Sequence, residues 1–351
     1  MPTWVWKSIL LFALLLGLAS LGVLVKTLSF SLAPRPPAGT ASNASADTTA
    51  ATDCPRPYSD DSPWNTKIGP QPRYHPRSQQ LITALEGPFG SNPDTYTYPV
   101  YTVTNSTPAQ TVYFSGIFSE VTEGGTKLAL RKGGGLVEVP IPAGALPSPG
   151  TDAQIIIINS DTGDEWGFWQ ARPLGRAAWQ AVNGYHYNIR WSGVPPAGFA
   201  SRGARVPYLA GLIRKCEIER GYIDHAIAFA YDYPCNRQTC ARQGFPHSVH
   251  PAQGSDGKGT YRYDFPEGTR LQLDPTASEQ DIQRWCGSDR ACRTIVKALQ
   301  EYGMITIDNS GHPKIYPESS RTAPWGTLLT DSTPARIPYA AFRVLDFEGT
   351  K

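Results

Sequence analysis

Hydrophobic and polar positions follow three regimes along the chain. Residues 9–25 (ILLFALLLGLASLGVLV) form an unbroken apolar run without charge, bracketed by Lys7 and Lys26. A helix crossing a bilayer takes about 17–25 apolar residues, so the run predicts an N-terminal transmembrane helix that anchors the chain. A signal peptide has a shorter apolar core, about 7–15 residues, and a small-x-small cut site. The nearest such site, Ser31-Leu32-Ala33, is followed by Pro34, a poor residue after a cut. The anchor is therefore the first expectation, and secretion after cleavage the alternative. Trp4 and Trp6 stand where interfacial aromatics belong. The Pro-, Ala-, Ser- and Thr-rich stretch that follows lacks the large apolar residues of a core, so 34–60 reads as a disordered linker.

From residue 61 the period shortens to two. Segments 95–104 (TYTYPVYTVT), 111–121 and 137–141 alternate over parts of their length, and 154–158 (QIIII) reads as a strand buried on both sides. A turn at Asp161-Thr162-Gly163-Asp164 leads to a strand at 165–171 (EWGFWQA). Segments 176–182 and 185–191 flank Asn183-Gly184, a strong hairpin signal. The last third is mixed. A helix or turn at 209–220 is closed by Gly221, and strands are expected at 222–231, 270–273, 304–307 and 341–345. Short helices are expected at 79–86, 281–285 and 291–302, and 234–266 reads as a long loop. No period of about 20–50 residues recurs, which argues against solenoids and propellers. The pattern predicts a mainly β protein, an antiparallel β-sandwich or jelly roll with long loops and a few short helices. Its divisions are 1–33 (anchor or signal), 34–60 (linker) and 61–351 (one β-rich extracytoplasmic domain).

Composition changes this picture in two ways. The formal charge of +2 excludes a strong electrostatic case for nucleic acid. The 6 cysteines are even in number, which in an exported chain reads as up to three disulfides. Six cysteines allow 15 pairings. Cys235/Cys240 and Cys286/Cys292 bracket short loops and are the natural local staples, leaving Cys54 for Cys216. A zinc site is the rival reading, but the spacings C-x4-C and C-x5-C are wider than the usual knuckle. Asn43 and Asn105 open matches to the glycosylation pattern, which matter only in a host that glycosylates.

No G-x-S-x-G, H-E-x-x-H, phosphate-binding or dinucleotide-binding loop is present, and no cofactor is called for. Candidate chemistry therefore rests on constellations. Arg214, Glu217 and His225 lie close in sequence. Arg214 and Glu217 are three apart and share a helix face. His225 suits a general acid or base, with Arg214 neutralising a substrate carboxylate, Glu217 orienting one of them and Tyr233 supplying a phenol. A buried core histidine beside a structural ion pair is the plainer reading. The long loop carries His247, His250 and Asp256 near Arg242 and Lys258, as a substrate-facing loop or, on the two histidines, a metal site. On a strand Glu165 and Trp169 share a face, an acid beside an aromatic, as in sugar clefts; the plain reading is a turn acid and a core tryptophan. Asp308, at a strand end in MITIDNSG, is either a site acid or ordinary turn chemistry.

Residues 208–311 resemble a widespread group of exported bacterial proteins. The residues that carry the resemblance are Ala210-Gly211-Leu212-Ile213-Arg214, Glu217, Gly221-Tyr222-Ile223-Asp224-His225-Ala226, Pro266-Glu267-Gly268-Thr269-Arg270-Leu271 and Ala298-Leu299-Gln300-Glu301-Tyr302-Gly303-Met304. Ser62-Pro63-Trp64-Asn65 fits the same group. The resemblance implies export and a shared fold rather than a reaction. The chain departs from that pattern at 234–257. A weaker likeness is to jelly-roll polysaccharide lyases, which abstract a proton beside a uronate carboxylate; Arg214, His225 and Tyr233 supply the residue types, but the Gln-x-His strand of those enzymes is replaced by Ile223-Asp224-His225. The expected function is that of an extracytoplasmic carbohydrate-active protein, acting on polysaccharide or cell-wall glycan by lyase or hydrolase chemistry. The alternative is a non-catalytic glycan-binding or envelope-structural module.

Overall fold

The computed structural model describes residues 54–115, 120–121, 127–128, 136–199 and 201–347. The apolar run 9–25 and most of the 34–60 linker lie outside the described residues. Among the described residues no helix is long and apolar enough to cross a membrane.

The isoleucine run seeds the first sheet. Ile155–Asn159 pairs in parallel with Val100–Val103 and antiparallel with Asp164–Trp169, and Asn183–Asn188 pairs with the outer side of Asp164–Trp169. Successive side chains on a strand point to opposite faces. Ile155 and Ile157 therefore bury themselves with Val112, Phe114, Trp179 and Ala181 of a second sheet. That sheet is ordered Leu136–Val139, Gln110–Phe114, Ala178–Ala181, Arg172–Gly175. Ile156 turns the other way and packs with Tyr98, Tyr185, Tyr187 and Tyr208 against Ala226, Ala228 and Ala230. Those alanines belong to the layer of a third sheet, ordered Lys314–Ile315, Ile227–Tyr231, Met304–Asn309, Arg270–Leu273, Phe342–Val344. Small residues on this face leave room for the tyrosine rings. The opposite face of the same strand, Ile227, Phe229 and Tyr231, packs with residues of the helices Glu279–Cys286 and Arg290–Glu301. The result is three sheets in layers with helices on the outer side of the third. Each fully buried apolar side chain contributes about 1.5–3 kcal/mol.

The mainly β class with few short helices is observed, but the expected antiparallel sheets are mixed. Each of these three sheets holds one parallel pair: Val100–Val103 with Ile155–Asn159, Gln110–Phe114 with Ala178–Ala181, and Ile227–Tyr231 with Met304–Asn309; a separate two-stranded sheet, Glu120–Val121 with Lys127–Leu128, is antiparallel. Parallel partners need a long crossover, whereas an alternation pattern reveals only that a segment is a strand and says nothing of its partner.

The expected hairpin at Asn183-Gly184 is also corrected. Both residues lie inside a strand, paired opposite Trp169 and Phe168. A Cβ on Gly184 would lie 2.4 Å from the Phe168 ring and 2.8 Å from the Gly167 carbonyl, so glycine here permits close strand approach. The tight turn falls instead at Arg176 and Ala177, whose φ values of 51° and 57° join Arg172–Gly175 to Ala178–Ala181. Two consecutive left-handed residues are the geometry of a type I′ turn. The long loop expected at 234–266 contains a helix, Arg237–Arg242, whose first turn is capped by the Asn236 side chain accepting the Thr239 N–H at 2.9 Å.

All six cysteines are paired, as Cys54–Cys216, Cys235–Cys240 and Cys286–Cys292. The local staples and the long-range bond match the expected pairing, which leaves no thiolate for zinc. Disulfides persist in oxidising compartments, and three of them are consistent with an extracytoplasmic domain.

Candidate functional site

The Arg214–Glu217–His225 constellation does come together, but inside the protein. Glu217 is the third residue of the helix Lys215–Arg220 and is fully buried. One carboxylate oxygen accepts the Arg214 backbone N–H at 2.8 Å; the other meets the Arg214 guanidinium at 2.6 Å and His225 Nε2 at 3.0 Å. His225 is 3% exposed, and its Nδ1 faces the Ala226 carbonyl at 2.9 Å. Neither ring nitrogen points at open space. Burial works to raise the Glu217 carboxyl, yet the charges of His225 and Arg214, with their hydrogen bonds, outweigh it and hold the group down to about 2. Arg214 also donates to the Pro55 carbonyl, and Arg220 to the Cys54 carbonyl. With the Cys54–Cys216 bond these contacts tie the start of the described chain to this helix. Tyr233 is 58% exposed and stands apart from the trio's hydrogen bonds.

Glu165 is likewise enclosed. It accepts hydrogen bonds from the hydroxyls of Tyr58 (2.9 Å) and Tyr185 (2.5 Å) and from the Leu209 N–H (3.2 Å). Burial raises its carboxyl, and these donors only partly offset it. The strand that carries Glu165 inward delivers Trp169 at its end, half-buried, to a different environment.

That environment is a cleft of about 640 Å³. It opens where the ends of Asp164–Trp169 and Asn183–Asn188 in the first sheet meet the C-terminal end of Met304–Asn309 in the third. Trp169, Asn183, Asp308 and Asn309 line it from these ends, and Asp152 lines it from the loop before Ile155–Asn159. The loop 201–205 adds Arg202, Gly203 and Arg205; the loop 255–258 adds Ser255, Asp256 and Lys258. Three expected substrate residues, Trp169, Asp256 and Asp308, therefore share one cavity. Glu165, Glu217, His225, Tyr233 and His250 are not among its lining residues.

Three carboxylates converge beside the cleft, Asp256 and Asp308 lining it and Glu267 buried next to them. One oxygen each from Asp256, Glu267 and Asp308 lie within 4.8 Å of one another. Asp256 is exposed and accepts the Asn309 side-chain N–H at 2.5 Å, while Asp308 is half-buried and Glu267 is fully buried. Burial, then the neighbouring Asp256 charge, push the Asp308 carboxyl up to about 7. Burial and the charges of Asp308 and Asp256 raise Glu267 well above the carboxylate range. Gly203 makes the convergence possible. A Cβ there would sit 2.3 Å from an Asp256 oxygen and 2.6 Å from a Glu267 oxygen. The counter-charge is Arg202, 6% exposed, aimed by the carbonyls of Pro207 and Tyr208 and lying over the Tyr98 ring at 4.9 Å.

Glu267, Arg202 and Gly203 escaped sequence reasoning. Glu267 stands within the motif Pro266-Glu267-Gly268-Thr269-Arg270-Leu271 that carries the resemblance to exported proteins, which is the nearest signal and assigns it no role. His247 and His250 are both half-buried, and among the described residues neither belongs to a group with metal-ligand spacing. No protein-family model matches the chain, and comparisons with curated proteins and with solved structures return no match.

Proposed function

We propose that this chain is an extracytoplasmic carbohydrate-active protein that binds a polysaccharide or cell-wall glycan in the cleft and cleaves it there by hydrolysis. The observation that carries the reading is the meeting of Trp169, Asp256 and Asp308 in one cavity. An aromatic face stacks on a sugar ring, and carboxylates hold hydroxyls or move protons at a glycosidic oxygen. Hydrolysis is favoured over elimination because the acid–base groups presented to the cleft are carboxyls, Asp152, Asp256 and Asp308. The phenols on its wall, Tyr98 and Tyr208, are raised by burial away from the range of a proton-abstracting base. Of the residues that matched the lyases, His225 and Arg214 are taken up by Glu217 and serve structure in this reading, and Tyr233 stands exposed and apart from them. The resemblance to exported bacterial proteins supplies the export expectation, and the jelly-roll lyase likeness supplies no part of the site.

The test is a panel of polysaccharides incubated with the full chain, following new reducing ends and the absorbance of unsaturated uronates. Reducing ends alone are expected, falling at least about 100-fold in Asp308→Asn and Trp169→Ala. Unsaturated uronates would establish elimination instead. Neither signal, with glycan binding retained, would establish the binding-module alternative, which the absence of a catalytic motif favours.

A further inference from the structure

We propose that Asp256, Glu267 and Asp308 form a binding site for one divalent cation of the calcium class at the edge of the cleft. The cluster alone would not carry this, because acidic side chains often gather without an ion. The deciding observation is Glu267. It is 0% exposed, and neither of its carboxylate oxygens has a hydrogen-bond partner of good geometry, although the Ser255 and Asp256 side chains stand close enough to act on it. It is instead directed at two further carboxylates, whose charges oppose its own. Buried polar groups in folded proteins are almost always satisfied, and an unsatisfied carboxylate is among the most unfavourable of them. Two occupants relieve such an arrangement, a shared proton or a cation.

Geometry admits the cation. Three oxygens evenly placed around one ion at distance d lie up to about 1.7d apart, about 4.0–4.5 Å for calcium at about 2.3–2.6 Å and about 3.5–3.6 Å for magnesium at about 2.0–2.1 Å. The oxygens here lie within 4.8 Å of one another, a bound nearer the calcium span than the magnesium one. The donor set is all oxygen, which suits a hard cation. Asn309 adds a buried side-chain oxygen without a partner, next in sequence to Asp308. Gly203 removes the Cβ that would otherwise occupy the space beside Asp256 and Glu267. Three carboxylates leave coordination positions open toward the cavity, where vicinal sugar hydroxyls or water bind. That last role rests on the glycan reading; the ion site itself does not.

The test is calorimetric titration of Ca2+ into the full chain stripped with chelator, at pH 7.5 and without glycan, with Mg2+ as comparison and ion content measured after dialysis. One Ca2+ per chain is expected, bound more tightly than Mg2+, with affinity at least tenfold weaker in Glu267→Gln and in Asp256→Asn. Asp256 is exposed, so its variant keeps the test valid should Glu267→Gln fail to fold. Absence of stoichiometric Ca2+ at millimolar concentration, or binding unchanged in Asp256→Asn, would overturn the site and leave a proton as the occupant. Ca2+ binding without any glycan cleavage would keep the site and overturn the hydrolytic reading. Cleavage indifferent to chelator, with no bound ion, would do the reverse.

Discussion

At the residue scale the same chemistry, a buried glutamate, appears in two opposite states. Glu217 is matched by the Arg214 guanidinium, the His225 ring and a backbone N–H; Glu267 faces other carboxylates. Removing Glu217 strands Arg214 and His225 in the interior, and breaking a buried pair from one side typically costs about 3–5 kcal/mol. Glu217→Gln is expected to lose stability of that order, read as a shift in denaturant midpoint. The pH dependence has a definite sign. The carboxyl drops from an ordinary 4.5 to about 2 on folding, so its contribution is complete above pH 4.5 and fades as the pH falls toward 2. The full effect is about 3 kcal/mol. The gap between wild type and Glu217→Gln should therefore be wide at pH 6 and narrow at pH 3; a gap independent of pH would remove the ion pair from the account. Local spacing made this trio legible as a cluster, because Arg214 and Glu217 share a helical turn. Its enclosure was illegible, since burial is set by layers built from distant segments. Glu267 stayed hidden for the same reason.

At the element scale most strands and helices were readable and most partners were not. The continuous apolar run in QIIII, the αL residue Gly221 ending the helix Lys215–Arg220, and the amphipathic stretch that became Arg290–Glu301 are local signals with local causes. The parallel pairs depend on chain segments far apart, and Asn183-Gly184 shows how a local signal misleads. Its glycine answers to the Phe168 ring across the strand pair. Gly184→Ala is expected to cost about 1–3 kcal/mol through overpacking, measured as a lowered melting temperature. Substituting Ala177 by glycine, at a residue with φ of 57°, should be neutral or mildly stabilising. The reverse order of effects would restore the hairpin to Asn183-Gly184.

At the scale of the whole molecule the three disulfides do different work. Cys235–Cys240 and Cys286–Cys292 close loops of 5 and 6 residues, whereas Cys54–Cys216 spans 162. In the chain-entropy account a short loop limits the unfolded chain by about 2 kcal/mol and a long one of this span by about 5 kcal/mol. The long bond also joins the first described segment to the helix that holds Glu217, where Arg214 and Arg220 donate to the carbonyls of Pro55 and Cys54. Losing it therefore loosens the N-terminal segment together with the buried ion-pair network. The double variant Cys54→Ser/Cys216→Ser is expected to lower the melting temperature more than Cys235→Ser/Cys240→Ser. It should also lose part of the pH-dependent stability that Glu217 provides, because its partners become less fixed. Thermal unfolding of both double variants at pH 6 and pH 3 measures this directly. Equal losses at both pH values would separate the disulfide from the ion pair, and a larger loss in the short-loop variant would reject the entropic ranking.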